Sequence, residues 1–217
     1  MKQLFIPAKS ELDLLPVVKR AKKQLKGKIG IVTTVQHLHK LKEVKEYLQK
    51  EGFNVKLLGQ VLGCNANNAK VEVESLMYIG TGEFHPKGIY LETSKEVLSC
   101  NPLTKEVKIV GENDVQKIKR RQKGALLKFL TSKVIGILVS TKNGQRNISE
   151  VKTIQNKYPD KEFYIFESDT LDFNELENFN FIDCWVNTMC KRIGLDDTKR
   201  TSRVILNIDV IKSLEVL

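Results

Sequence analysis

Ile29-Gly30-Ile31-Val32-Thr33-Thr34 and, later in the chain, Ile135-Gly136-Ile137-Leu138-Val139 are the stretches on which the fold turns. Each is a short β-branched run with a glycine at the same place, the pattern of a strand buried on both faces. A basic helical stretch precedes each of them. A second helical pattern follows: Leu38, Leu41, Val44 and Leu48 after the first, and Ile148, Val151, Ile154 and Tyr158 after the second. Glu43-Val44-Lys45 in one returns as Glu150-Val151-Lys152 in the other. Strand and helix in alternation build parallel sheets. The chain therefore reads as an internal duplication of about 106 residues. The predicted fold class is α/β: two tandem, similar domains over residues 1–111 and 112–217, each a small parallel sheet flanked by helices.

The remaining elements fit this frame. A short strand is expected over 3–8 and a helix over 11–25, capped by Ser10, with Pro16 near its first turn. Strands are expected at 55–58, 75–79 and 96–100, with Lys105 to Val110 pairing back as a hairpin. Pro86 suits the first position of a helix through Ile89, Tyr90 and Leu91. In the second half, a helix opens at Asn113 or Asp114, with Val115, Ile118, Gln122, Ala125, Leu126 and Phe129 on one side and a basic cluster on the other. Strands follow at Glu162 to Phe166 and from Phe181 to Val186, with a short turn or helix at Leu176 to Phe179 between them. The Arg203 to Asn207 stretch is ordered and Val210 to Leu214 is helical.

Composition narrows the function classes. No run of about 18 apolar residues is present, so no membrane span is expected. The N-terminal Met1-Lys2-Gln3-Leu4-Phe5-Ile6-Pro7 is too short and too soon charged for a signal peptide, so a cytoplasmic protein is expected. Thirty-six basic against 26 acidic residues leave a net charge of +10, which favours an anionic partner. The densest basic cluster is Lys117, Lys119, Arg120, Arg121 and Lys123. No aromatic-rich RNA motif accompanies it, so no specific nucleic acid is expected, and a basic RNA- or ribosome-binding module is the weakest of the readings. Cysteines at 64, 100, 184 and 190 lack the paired spacing of a zinc ribbon, and a cytosolic chain does not lead one to expect disulfides.

Two of these cysteines stand at strand ends. Gly59-Gln60-Val61-Leu62-Gly63-Cys64-Asn65 follows an apolar strand, and Asn187-Thr188-Met189-Cys190-Lys191-Arg192 leaves another. Ligands collect at the carboxyl ends of parallel strands. Cys64 and Cys190 are read as partners at one site facing a cleft between the domains, with sulfurs within roughly 6–8 Å, while Cys100 and Cys184 read as space-filling core residues. The loop Gly80-Thr81-Gly82-Glu83-Phe84-His85 joins a strand to a helix, and its glycines let backbone N–H groups converge on a carboxylate or phosphate. It is not a dinucleotide fingerprint, because His85 stands where a third glycine is needed. Thr141-Lys142-Asn143-Gly144-Gln145-Arg146 is placed at the matching position of the second half and suits the charged end of an amino acid. His37 and His39 flank Leu38 at the start of a helical pattern, where they point apart, so a positioning role fits them better than a shared metal.

Taken together, Gly59 to Cys64, Tyr78-Ile79-Gly80-Thr81-Gly82-Glu83-Phe84-His85-Pro86, Ile182-Asp183-Cys184-Trp185-Val186 and Cys190-Lys191-Arg192-Ile193-Gly194-Leu195-Asp196 resemble the archaeal diphthamide-synthesis enzymes. Thr34-Val35-Gln36-His37 and Gly144-Gln145 resemble them too. The similarity spans nearly the whole chain in the family's order. It implies a 2-(3-amino-3-carboxypropyl)histidine synthase. Such enzymes hold a [4Fe–4S] cluster among three similar α/β domains, each giving one cysteine. The open iron binds S-adenosylmethionine, and a 3-amino-3-carboxypropyl radical is delivered to a histidine of elongation factor 2. Thiolates suit iron–sulfur clusters, and three of them leave one iron open. On this resemblance Cys64 is the middle-domain ligand and Cys190 the last-domain ligand, and Gly80, Gly82, His85, Gln145 and Arg192 hold the amino-acid end of S-adenosylmethionine.

The departures shape the expectation. The chain begins where the family's second domain begins, so the first domain and its cysteine are expected from elsewhere: a homodimer, or a heteromer with a separate chain. Lys191 stands where the family usually has proline, and Cys100 and Cys184 match no family ligand. The alternative reading is a non-catalytic scaffold subunit of the same system.

Overall fold

The computed structural model describes residues 4, 6, 8–63 and 65–215. The chain divides into two compact units, Met1–Gln116 and Lys117–Leu217.

In the first unit, strands Lys28–Thr33 (β1), Asn54–Gln60 (β2), Ser75–Ile79 (β3), Val97–Cys100 (β4) and Val107–Val110 (β5) form one sheet in the order β2-β1-β3-β4-β5. The first four are parallel, and β5 runs antiparallel to β4. In the second unit, Val134–Ser140 (β6), Glu162–Ser168 (β7), Cys184–Asn187 (β8) and Ile205–Asn207 (β9) lie in the order β7-β6-β8-β9, all parallel. The duplication seen in the sequence thus returns as topology. In both sheets the second strand lies on one side of the first, and the third and fourth on the other.

Alternation along the strands sorts side chains into two layers. Ile29, Ile31, Met77, Ile79, Leu98 and Cys100 pack with Val17, Val18 and Ala21 of helix Leu15–Ala21 (α1) and Leu41, Val44 and Leu48 of Leu41–Lys50 (α2). Val32, Leu76, Tyr78 and Val97 face the other way, onto Ile89 and Tyr90 of Phe84–Thr93 (α3) and Val115 of Glu112–Thr131 (α4). The second unit repeats this. Ile135, Ile137, Val139, Cys184, Val186 and Leu206 meet Ala125 and Phe129 of α4, Val151 and Ile154 of Ile148–Lys157 (α5) and Ile211 of Ile208–Lys212 (α7). Leu138, Trp185 and Ile205 meet Leu176 and Ile193, the latter on the short helix Arg192–Leu195 (α6). A period of two cannot place both cysteines of these layers anywhere but inside.

The paired glycines have a shared cause. A Cβ on Gly30 would lie 2.8 Å from Leu58 Cδ1, and one on Gly136 would lie 2.5 Å from the Trp185 ring. Each central strand gives up a side chain so that a large neighbour can lie across it.

Several expected boundaries move. The strand expected over 3–8 falls largely outside the described residues, and Leu4, Ile6 and Ala8 adopt no strand. The helix expected over 11–25 is α-helical only over Leu15–Ala21 and tightens to a 3-10 turn at Lys22–Gln24. Pro16, without an N–H, belongs in the first turn, so the helix cannot start much earlier, and Asp13 Oδ1 rather than Ser10 accepts from the first helical amide, Leu15 N, at 2.9 Å. Pro86 is the third residue of α3, not the first, still within the turn whose amides need no helical acceptor. The strand expected from Phe181 starts at Cys184: Phe181 is exposed, and the Ile182 amide donates back to Phe179 O at 3.1 Å. No helix among the described residues is long and apolar enough to cross a membrane.

These contacts set a stability test. Gly136→Ala overpacks the second sheet against Trp185 and costs about 1–3 kcal/mol. Gly124→Ala on α4, where an added Cβ meets nothing within 4 Å, gains up to about 1 kcal/mol. Urea unfolding followed by the fluorescence of Trp185, the single tryptophan, reads both.

Candidate functional site

The loops after β1, β2 and β3 all leave the carboxyl edge of the first sheet. After β1, a 3-10 turn over Val35–Lys40 buries His37 and leaves His39 exposed, so the two histidines do point apart. Burial holds the His37 imidazole below its ordinary range, and the neighbouring His39 and Lys40 act in the same direction. Its Nδ1 has no hydrogen-bond partner among the described residues.

After β2, Leu62 and Asn65 exchange two backbone hydrogen bonds (3.0 and 3.1 Å) and close a tight reversal. Asn68 Nδ2 clamps the end of β2, donating to Leu58 O at 2.7 Å and to Gln60 O at 2.8 Å. A cleft of about 390 Å³ lies here, lined by Gln60, Leu62, Asn65, Asn67 and Asn68. A Cβ on Gly63 would sit 1.8 Å from the Phe84 ring, so the loop packs directly on the start of α3. Cys64 itself is outside the described residues, and with it the expected Cys64–Cys190 separation.

After β3 comes the Gly80–His85 loop. Gly80 N donates to Cys100 O at 3.0 Å, and a Cβ at Gly80 would lie 2.4 Å from the Tyr78 hydroxyl. Gly82 has φ of +74°, a backbone region that favours glycine. His85 stacks on Tyr78 with ring centroids 5.8 Å apart, and Phe84 meets it edge-on. Burial drives the Tyr78 phenol well above its ordinary range, and its hydroxyl has no hydrogen-bond partner among the described residues. Glu83 is held by Lys87 and Lys108, and the Lys87 bond comes first in keeping its carboxyl below the usual range.

In the second unit the loops after β6 and β8 meet. Gln145 is exposed in a turn whose Gly144 has φ of +78°, and Gln145 N donates to Lys142 O at 3.1 Å. Asn147 Nδ2 ties this loop to the next, donating to Thr188 O at 2.7 Å. Thr188 in turn is anchored on the sheet, its amide (3.0 Å) and hydroxyl (2.8 Å) both donating to Leu138 O. Cys190 is half-buried beside Trp185 and Met189, with a free thiol. Arg192 pairs with Asp196 at 3.4 Å, and Lys191 with Asp209 at 3.1 Å.

Topology corrects one expected correspondence. The Gly80 loop follows β3, whose counterpart is β8, whereas the Gln145 loop follows β6, the counterpart of β1. The partner of the Gly80–His85 loop is therefore the Cys190 loop, and the partner of the Gln145 loop is Thr34 to His37. Chain position alone matched them wrongly, because both loops follow an apolar strand.

The thiols separate by environment. Cys100 and Cys184 are fully buried, and desolvation pushes both up to about 12. Neither suits a metal thiolate. No group of three or more His, Cys, Asp or Glu among the described residues is arranged to hold a metal ion. Of a cluster's thiolates, the described residues supply one accessible candidate, Cys190, which fits a soft iron.

The model of the diphthamide synthesis protein family matches residues 1–209. The chain belongs to that family. It is 35% identical over 208 residues to the 2-(3-amino-3-carboxypropyl)histidine synthase of Pyrococcus horikoshii, covering 89% of this chain and 60% of that protein. To the enzyme of the same name from Methanocaldococcus jannaschii it is 30% identical, over 91% of this chain and 57% of that protein. A crystal structure of Dph2 from Pyrococcus horikoshii with a 4Fe-4S cluster superposes with a TM-score of 0.84 at 32% identity, over 97% of this chain and 64% of that one. The chain thus spans about three-fifths of the length of these relatives.

Burial predicts which family thiols respond to reagents. Alkylation of the folded chain at mildly alkaline pH modifies Cys190 and spares Cys100 and Cys184, read by peptide mass spectrometry. The two buried thiols rise from 9.0 to about 12 on folding, so their stabilising share is complete below pH 9 and is lost as pH rises through 12. Rapid labelling of either at neutral pH without denaturant contradicts this burial.

Proposed function

We propose that this chain takes part in the first step of diphthamide biosynthesis, transferring the 3-amino-3-carboxypropyl group of S-adenosylmethionine to a histidine of elongation factor 2 in the cytoplasm. The observation that carries the reading is the fold match to a relative crystallised with a 4Fe-4S cluster, together with the half-buried free thiol of Cys190 and a second cysteine, Cys64, after a strand of the first unit in the sequence. In this reading residues 1–111 and 112–217 act as the family's middle and last domains, and Cys64 and Cys190 hold the cluster. Bound there, the cluster would supply the electron that breaks a carbon–sulfur bond.

The chain's own residues do the positioning. The Gly80–His85 loop, with Gly82 in the left-handed region, offers backbone donors, and His85 is held by its stack on Tyr78. Gln145 stands on a loop tied to the Cys190 loop through Asn147, which favours its reaching the same amino-acid group. Arg192 completes the set, with Asp196 fixing its guanidinium. Two cysteines leave a cluster one thiolate short of three, so a second copy or a further domain supplies the other. The relative from Encephalitozoon cuniculi, 24% identical over 220 residues, is named subunit 1 of its synthase, and a heteromer is in keeping with that.

Anaerobic reconstitution, with iron analysis and EPR, tests the reading. The chain alone or together with the missing thiolate's carrier takes up iron. Cys64→Ser and Cys190→Ser each lose most of it, whereas Cys100→Ser and Cys184→Ser keep it. Iron uptake that survives loss of both Cys64 and Cys190 refutes the assignment, and histidine modification that persists without them supports a scaffold subunit instead.

A further inference from the structure

The loop that carries Cys190 is held by two buried asparagines twenty residues apart. Asn187 and Asn207 end β8 and β9, are 2% and 3% exposed, and face each other across the ladder. Asn187 Nδ2 donates to Asn207 Oδ1 at 2.6 Å and to Cys190 O at 3.0 Å, and Asn187 Oδ1 accepts from Met189 N at 3.0 Å. Asn207 Nδ2 donates to Lys191 O at 2.8 Å. Ile193 N adds a second donor to Cys190 O at 3.1 Å. The backbone is thus pinned at Met189, at Cys190 and at Lys191, and Asn147 pins Thr188 just before them.

The network has only one consistent orientation. Turning the Asn207 amide over would set two NH2 groups against each other, and aspartate at either position could not donate to the carbonyls. Gly194 makes room for it: a Cβ there would lie 2.3 Å from Asn207 Oδ1. Two buried amides are costly unless fully paired, and here, besides the bond that joins them, their side-chain bonds go to Met189, Cys190 and Lys191. The thiol itself is left out of the network.

We propose that Asn187, Asn207 and Gly194 form a positioning device that presets the direction of the Cys190 thiol for a soft metal, a role that rests on the iron reading above. All three act through the Cys190 backbone and would stand behind the thiol as outer partners of a metal ligand do. One amide is aimed at the Cys190 carbonyl and the other at the carbonyl of the next residue, Lys191.

Asn207→Asp keeps the shape and removes the donor to Lys191 O, whereas Gly194→Ala leaves the chemistry intact and pushes the amide aside. Alanine otherwise favours a helix, so loss of function in Gly194→Ala is not a propensity effect. Two readouts on the whole chain decide the matter, with circular dichroism confirming that each variant is folded. The first is the pH profile of Cys190 alkylation in a Cys64→Ser background, which accelerates several-fold in both variants as the half-buried thiol is released. The second is iron loss to a chelator after anaerobic reconstitution of the chain with all four cysteines, which becomes about 10-fold faster or more. An unchanged alkylation profile in both variants overturns the clamp whatever the iron result. A changed profile with iron held as in the parent overturns its role toward the metal. A parent chain that takes up no iron, either alone or together with the carrier of the third thiolate, defeats the functional reading, and the alkylation profile then judges the clamp alone.

Discussion

A parallel strand that stops inside a protein leaves its last backbone groups without ladder partners, and a buried polar group without a partner is costly. Much of what is distinctive here answers that constraint. β1 ends at Thr33, whose hydroxyl donates to Ile79 O at 2.6 Å while its carbonyl accepts from Val61 N at 2.8 Å. β2 ends under the Asn68 amide. β6 hands the Leu138 carbonyl to Thr188, and β8 and β9 end in the asparagine pair. Asn68 and Thr188 come from loops at the same edge, and Thr33, Asn187 and Asn207 are the last residues of their strands, so the residues that close the sheets also shape the loops that leave them.

The same constraint explains how small residues and large ones are distributed. Gly63, Gly80 and Gly194 each stand where a Cβ would strike Phe84, the Tyr78 hydroxyl or Asn207. In the first unit the loops rest on aromatic rings, with Tyr78, His85 and Phe84 in contact. In the second they rest on amides. Two copies of one topology have thus reached rigid loops by different means, apolar packing in one and a hydrogen-bonded network in the other. Rigid support of this kind is what a binding constellation requires, because small displacements of a ligand group are costly.

The basic stretch on α4 takes a structural share in this. The Arg121 guanidinium donates to the Thr198 hydroxyl, and the nearby Arg203 is held by Glu177 at 2.8 Å. Part of the charge that suggests an anionic partner is therefore spent fastening the approach to β9, within the unit.

The sequence by itself determined the fold class, the duplication and which residues face inward. Those follow from periods of two and 3.6 and from Gly30 and Gly136, all local in the chain. It also marked Cys100 and Cys184 as core, since each lies in phase with buried neighbours, and the family motifs around the Gly80 loop and Cys190. Only the tertiary structure decided which loops correspond, because that depends on strand order in the sheet and not on distance along the chain. It alone placed the start of β8 at Cys184, where tertiary turns at Phe179 to Ile182 override an apolar run. And it alone disclosed Asn147, Asn187 and Asn207: an isolated asparagine reads as a turn residue, and its worth as a clamp appears only when strands far apart in sequence bring its amide against another chain segment's carbonyl.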